Sequence, residues 1–199
     1  MPGKGQLIAV EGSGGPTLAE AAKRLHRRFR KEGHAAGVSG WDSSGIFFDI
    51  WQGPRDIPGA SPRTLLLLYA ADLAFRLRWE IRPALDQGMT TIAAPYVHSA
   101  IAFGRTAGLP RAWLQDLFEF APPADVSYRV PEDRVPRTKQ GKPSDSFLEF
   151  CFLQLRRGPG FWNTEEIRAA FLAQLKGLEA RGKCRDVTQY LRAAASSGR

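Results

Sequence analysis

A glycine-rich turn near the start of the chain has the residue types and spacing of a phosphate-binding loop. It lies between an apolar strand and a helix and is formed by Gly12, Ser13, Gly14, Gly15, Pro16 and Thr17. In such a loop the backbone N–H groups hold phosphate, a following Lys neutralises its charge, and the next Ser or Thr binds Mg²⁺. Here Leu18 and Ala19 stand at those two places. The turn therefore keeps the backbone pattern and lacks the charge chemistry.

The composition indicates a folded protein with an anionic partner. The 199 residues suit a single α/β domain over 1–199, and 43% hydrophobic residues favour a globule over disorder. The formal net charge of +8 suits a nucleotide, a nucleic acid or an acidic protein as partner. No apolar run reaches the roughly 20 residues of a membrane span, and we recognise no signal peptide. We therefore expect a cytoplasmic protein with no membrane partner.

Cysteine and histidine are too few and too scattered for a metal site. Cys151 and Cys184 make no disulfide framework, and His26, His34 and His98 lie far apart in the sequence. We therefore predict no bound metal.

Strand and helix patterns alternate along the chain. We predict strands at 6–11, 35–39, 89–93, 126–130 and 158–162, and helices at 17–32, 44–52, 62–86, 97–105, 110–120, 146–157 and from 163 onward. This alternation predicts an α/β three-layer sandwich, with a mostly parallel five-stranded sheet flanked by helices. The polar and basic stretch 131–145 is predicted to be a mobile loop.

The helix at 17–32 carries a dense cluster of positive charge. Its basic residues are Lys23, Arg24, Arg27, Arg28, Arg30 and Lys31. Such a cluster is typical of a solvated helix face, and contact with a nucleic acid is the less favoured alternative.

Four stretches of the chain resemble the thymidylate kinases, a family of P-loop nucleoside monophosphate kinases. They share the order and spacing of the family's motifs and lie at residues 8–33, 67–88, 94–110 and 123–126. The most specific is Leu-Leu-Tyr-Ala-Ala-Asp-Leu at 67–73, which is similar to the family's LLFAADR. The resemblance implies the P-loop nucleotide kinase fold, a lid-like loop at 131–145, and dimerisation through the long helix 62–86.

The departures from the family fall where its chemistry should be. Leu18 replaces the phosphate-binding Lys, and Thr17 replaces the final glycine of the loop. Ala94 and Pro95 stand where the family has Asp-Arg, just before a retained Tyr96. In the family that Asp works near the Mg²⁺ and that Arg near the phosphates.

The positions that correspond to the nucleoside site are partly retained. Ser99 and Phe103 lie in the matching stretch, whereas Leu73 replaces the Arg expected to reach the base. Tyr69 takes the place of the base-stacking Phe. On an apolar helix face it is either a core residue or a stacking platform for a base.

Cations from elsewhere in the chain offer a route by which lost charge could return. Arg134, Arg137 and Lys139 of the lid-like loop are the candidates. The alternative for these residues is a solvated loop without a role at the site.

We therefore hypothesise a thymidylate-kinase-like protein that is catalytically degenerate and acts as a binding, scaffolding or regulatory subunit. Weak or no nucleotide affinity and no cofactor are expected. Its partner would be a second copy or a related kinase chain. The alternative is an active nucleoside monophosphate kinase that transfers phosphate from ATP to dTMP or a related nucleotide and requires Mg²⁺.

Overall fold

The structure is a computed structural model that describes residues 5–53, 59–131, 146–158 and 162–196. In that part of the chain the strands are β1 Gln6–Glu11, β2 Ala36–Gly40, β3 Thr90–Ala94, β4 Val126–Arg129 and β5 Arg185–Asp186. They form one sheet in the order β2-β3-β1-β4-β5, and every neighbouring pair is parallel. The predicted α/β fold is confirmed, with a sheet that is parallel throughout.

Helices connect and cover these strands. They are α1 Pro16–Lys31, α2 Ile46–Gln52, α3 Pro62–Arg76, α4 Arg82–Asp86, α5 Val97–Thr106, α6 Arg111–Leu117, α7 Phe147–Arg157, α8 Thr164–Ala180 and α9 Val187–Ser196. A π-helical segment, Leu77–Ile81, joins α3 to α4 and completes the long helix predicted at 62–86. Ser61 begins it by accepting a hydrogen bond from Thr64 N, with Pro62 at the first helical position.

Side chains alternate between the two faces of the sheet and build a core on each. Leu7 and Ala9 point into a large cluster with α3, α5, α7 and α8. Ile8 and Val10 point into a smaller cluster with α1 and the start of α9. The sheet therefore lies between two helical layers, as the three-layer prediction requires.

The predicted position of the fifth strand was wrong. We expected it at 158–162, where Gly158 and Trp162 lie outside any strand and residues 159–161 fall outside the described part of the chain. The fifth strand is instead Arg185–Asp186, which pairs with β4 through Tyr128 and Arg129. A strand of two polar residues has no apolar alternation, so it carries no pattern by which a strand could be predicted.

The parallel register brings three loops together at the carboxyl edge of the sheet. Gly40 of β2 pairs with Ala94 of β3, and β1 lies on the other side of β3. The residues that follow these strands therefore meet at one edge, where α/β folds place their ligands. No helix among the described residues has the length and apolarity to span a bilayer.

Candidate functional site

A cleft of about 650 Å³ lies at this edge, between the glycine-rich turn, the start of α1 and the segment that follows β2. Four of the substituted positions line it together: Leu18, Ala19, Ala94 and Pro95. The sequence predicted that these residues belong to one site, and in the structure they share one cleft.

The opposite wall comes from β2 and α2. Val38 and Phe48 line the cleft and are exposed, while Trp41 and Asp42 follow the end of β2. The Asp42 carboxylate accepts hydrogen bonds from Phe47 N at 2.9 Å and Phe48 N at 2.8 Å, which holds the first turn of α2. Burial raises the pKa of Asp42, and these two N–H groups act against that shift.

Positive charge in the cleft is sparse. Among the described residues that line it, Lys23 is the single cation. Lys23 stands one helical turn after Ala19 on α1. Sequence reasoning assigned it to a solvated helix face, because spacing alone does not reveal which loop lies beside that face.

The backbone of the glycine-rich turn is bonded to the start of α7. Gly14 and Gly15 have φ angles of 88° and 87°, a region that favours glycine. Ser13 O accepts hydrogen bonds from Leu148 N at 2.9 Å and from Ser146 Oγ at 3.1 Å. The turn is therefore tied to a neighbouring helix as well as to α1.

Glu11 at the end of β1 is a buried hydrogen-bond acceptor. Its carboxylate accepts from Ser99 N at 2.9 Å, Ser99 Oγ at 2.6 Å, Tyr96 N at 3.3 Å and His98 N at 3.2 Å. Ser99 Oγ in turn accepts from Gly12 N at 3.0 Å. Glu11 and Ser99 thus hold the N-terminus of α5 against the glycine-rich turn, a favourable place for a carboxylate.

Comparison with known proteins identifies the family. No family model matches the chain. A probable thymidylate kinase of Thermococcus kodakarensis is 37% identical over 160 residues, which are 74% of this chain and 78% of that protein. This chain belongs to the thymidylate kinase family.

Other members of the thymidylate kinase family match shorter stretches. A probable thymidylate kinase of Thermococcus gammatolerans is 31% identical over 131 residues, 61% of this chain and 63% of that protein. A thymidylate kinase of Syntrophotalea carbinolica is 33% identical over 138 residues, 64% of this chain and 63% of that protein. These two matches span less than two thirds of either relative.

The residues predicted to correspond to the family's nucleoside site lie in the core. None of the four has any exposed surface: Tyr69, Leu73, Ser99 and Phe103. The Phe147 ring lies among them, 4.8 Å from the Tyr69 ring and 5.6 Å from the Phe103 ring between centroids. Tyr69 Oη donates to Tyr96 O at 3.0 Å. In this arrangement Tyr69 packs as a core residue.

A buried cation that sequence reasoning missed lies beside these residues. Arg76 has no exposed surface and donates to Ser39 Oγ at 2.9 Å, Ser39 O at 2.9 Å and Pro95 O at 3.0 Å. The Asp72 carboxylate, four residues earlier on α3, has its Oδ2 atom 4.0 Å from Arg76 Nη1. An arginine in an otherwise apolar helical stripe was the available signal. Because Arg76 binds protein atoms on β2 and after β3, it fastens the ends of those strands to α3.

The remaining sequence predictions concern the lid candidates, the cysteines and a metal site. The lid candidates Arg134, Arg137 and Lys139 lie outside the described residues. Both cysteines are free and buried. Within the described ranges no cluster of His, Cys, Asp and Glu has an arrangement suited to a metal ion.

The cleft does not fit the ATP and Mg²⁺ that the family resemblance implies. A hydroxyl and a carboxylate would be needed near the metal, and the corresponding side chains are the methyl groups of Ala19 and Ala94. Leu18 is 3% exposed and belongs to the apolar cluster that α1 forms on the sheet. The described residues of the cleft therefore supply too little charge for a magnesium-bound triphosphate.

Proposed function

We propose that this chain is a catalytically inactive member of the thymidylate kinase family that serves as a binding, scaffolding or regulatory subunit. One observation carries the proposal. The substituted positions Leu18, Ala19, Ala94 and Pro95 line a single cleft, so the losses fall together at one place.

The size of the expected defect follows from how phosphoryl transfer is catalysed. Catalysis relies on positioning and on cations near the developing charge. Removal of one preorganised group lowers the rate typically ~10²–10³-fold. Three such groups, the loop Lys and the Asp-Arg pair, are replaced here by Leu18, Ala94 and Pro95. Such losses are not additive, yet together they are incompatible with ordinary turnover.

A coupled assay of ADP formation from ATP and dTMP tests this proposal. We expect no turnover above background, with the probable thymidylate kinase of Thermococcus kodakarensis as the comparison protein. Calorimetry with ATP and with dTMP, each with and without Mg²⁺, separates a binder from a protein without nucleotide affinity. Robust turnover by the purified chain would refute the proposal.

The second candidate is an active nucleoside monophosphate kinase with relocated charge. Lys23 favours it, because this residue lines the cleft from the helix that follows the glycine-rich turn. This candidate predicts that any turnover disappears in Lys23→Ala and persists in Lys31→Ala. Turnover that survives in Lys23→Ala would leave this cleft without a role in it.

The subunit role also needs a surface for a partner. Along the long helix, Leu67, Ala71, Phe75 and Trp79 are exposed at four-residue intervals. Side chains at this spacing lie on one helical face. We propose that this row contacts a second copy or a related kinase chain.

A further inference from the structure

The walls of the cleft are apolar where a phosphate site would be polar. Leu18 and Ala22 of α1, which are almost fully buried, line it together with Val38 of β2 and Phe48 of α2. Val38 and Phe48 are each 43% exposed, so these apolar groups are open to a ligand. A concave, mostly apolar site of about 650 Å³ has the size and character of a small-molecule site.

The charges in the cleft favour a single negative group. No carboxylate among the described residues pairs with Lys23, so its ammonium is available to an anion. The Asp42 carboxylate is already bound to two N–H groups of α2. The positive end of the α1 dipole, at Gly15 and Pro16, adds to the attraction. One lysine suits one negative charge and leaves a triphosphate largely unneutralised.

We propose that this cleft binds a small amphipathic anion, a planar apolar ring system that carries one negatively charged group. The ring system would contact Val38 and Phe48, and the anionic group would lie at Lys23. This inference rests on the loss of phosphoryl-transfer chemistry proposed above and names the class of ligand that the altered site takes.

Two fluorescent probes that differ in charge test the proposal. 8-Anilinonaphthalene-1-sulfonate carries one sulfonate, and N-phenyl-1-naphthylamine has the same ring system without charge. We expect saturable binding of the sulfonate probe at one site. Lys23→Gln should weaken it about two- to fivefold, the effect of one ion pair near a surface, and leave the neutral probe unchanged. The matched control Lys31→Gln, at the exposed end of α1, should change neither.

Substitutions in the apolar wall should act on both probes. Val38→Thr and Phe48→Ser replace exposed side chains, so the fold should persist, which far-ultraviolet circular dichroism checks. Combined, they should weaken both probes at least about tenfold, since each substitution removes apolar surface that the ring system would bury. ATP at millimolar concentration should not displace the sulfonate probe.

The inference is overturned by three results. These are absent saturable binding, equal loss in Lys23→Gln and Lys31→Gln, and displacement by micromolar ATP. The ADP assay on the same preparation keeps the two proposals apart. If neither probe binds and no ADP forms, the ligand inference alone is refuted. If ADP forms, the proposed function is refuted.

Discussion

Glu11 shows how one carboxylate at the end of β1 organises the residues opposite it. It has no exposed surface and accepts hydrogen bonds from three backbone N–H groups and one hydroxyl. Its four bonds give Glu11 a structural role, because each satisfies a donor that would otherwise be buried and unpaired.

Replacement of Glu11 should therefore destabilise the fold. Glu11→Gln removes the charge and turns one acceptor oxygen into a donor, which faces an N–H group that it cannot bind. We expect a loss of about 2–3 kcal/mol in the free energy of unfolding, measured by urea denaturation. Glu20→Gln, which affects only the exposed ion pair with Arg27, should change it by less than about 0.5 kcal/mol. Equal effects of the two substitutions would contradict a special role for Glu11.

The two thiols should be protected in the folded protein. Burial raises the pKa of Cys184 to about 12, and it raises that of Cys151 as well. Because the thiolate is the reactive form, both should react with a disulfide reagent at pH 8 only after unfolding in guanidinium.

The same shift predicts a loss of stability in alkali. The unfolded thiol ionises at about pH 8.5, while folded Cys184 stays protonated up to about pH 12. The contribution of the protonated thiol to the free energy of unfolding is complete below about pH 8.5. It is lost as the pH rises through about 12. Cys184→Ala should reduce the fall in unfolding free energy between these values, measured by denaturation at several pH values. An unchanged pH dependence would contradict the shift.

Among the elements, the glycine-rich turn and α7 make a tightly constrained contact. A side chain at Gly14 would place its Cβ 2.7 Å from Phe147 N, closer than atoms pack. Gly33, past the end of α1, has a similar φ of 85° and open space around it. A side chain would therefore meet backbone strain alone at Gly33, and both backbone strain and a packing clash at Gly14.

Alanine substitution at both sites makes this comparison. Gly33→Ala should cost about 1–2 kcal/mol, the strain of a left-handed backbone conformation. Gly14→Ala should cost about 1–3 kcal/mol more, because α7 has to move. Thermal and urea unfolding measure both values. Similar losses would show that α7 yields easily at this contact.

The helices and the longer strands could be predicted from the sequence. The two-residue strand β5, and which elements pack beside one another, could not. α1 at Pro16–Lys31 was expected at 17–32, since its apolar stripe repeats at helical spacing and Gly33 follows its end. β5 was missed because two residues make no pattern. The position of Lys23 beside β2 and α2 depends on tertiary packing, which the periodicity of α1 does not contain.

At the scale of the whole molecule, the long helix bears three of the large apolar side chains that are exposed in the described part of the chain. Leu67 is 51% exposed, Phe75 39% and Trp79 62%. Three large apolar groups in one row are unusual on a surface without a partner.

A charge in this row should disrupt association. We expect the wild type to be a dimer by light scattering after size exclusion and Trp79→Glu to be a monomer at the same concentration, because a buried unpaired carboxylate opposes the interface. Arg30→Glu, on the exposed face of α1, serves as the control and should leave the mass unchanged. A monomeric wild type would redirect the search toward a different partner chain.

The substitution at the start of α1 also bears on whether the lost chemistry could return. Leu18 contributes to the cluster of Ile8, Val10 and Ala94, so a reversion to Lys would remove packing from it. The new ammonium would find methyl groups at Ala19 and Ala94 where a metal and its ligands are needed. Under the proposed loss of phosphoryl transfer, a return to Lys at this position would therefore weaken the packing of α1 without a gain in turnover, so a single mutation offers no route back.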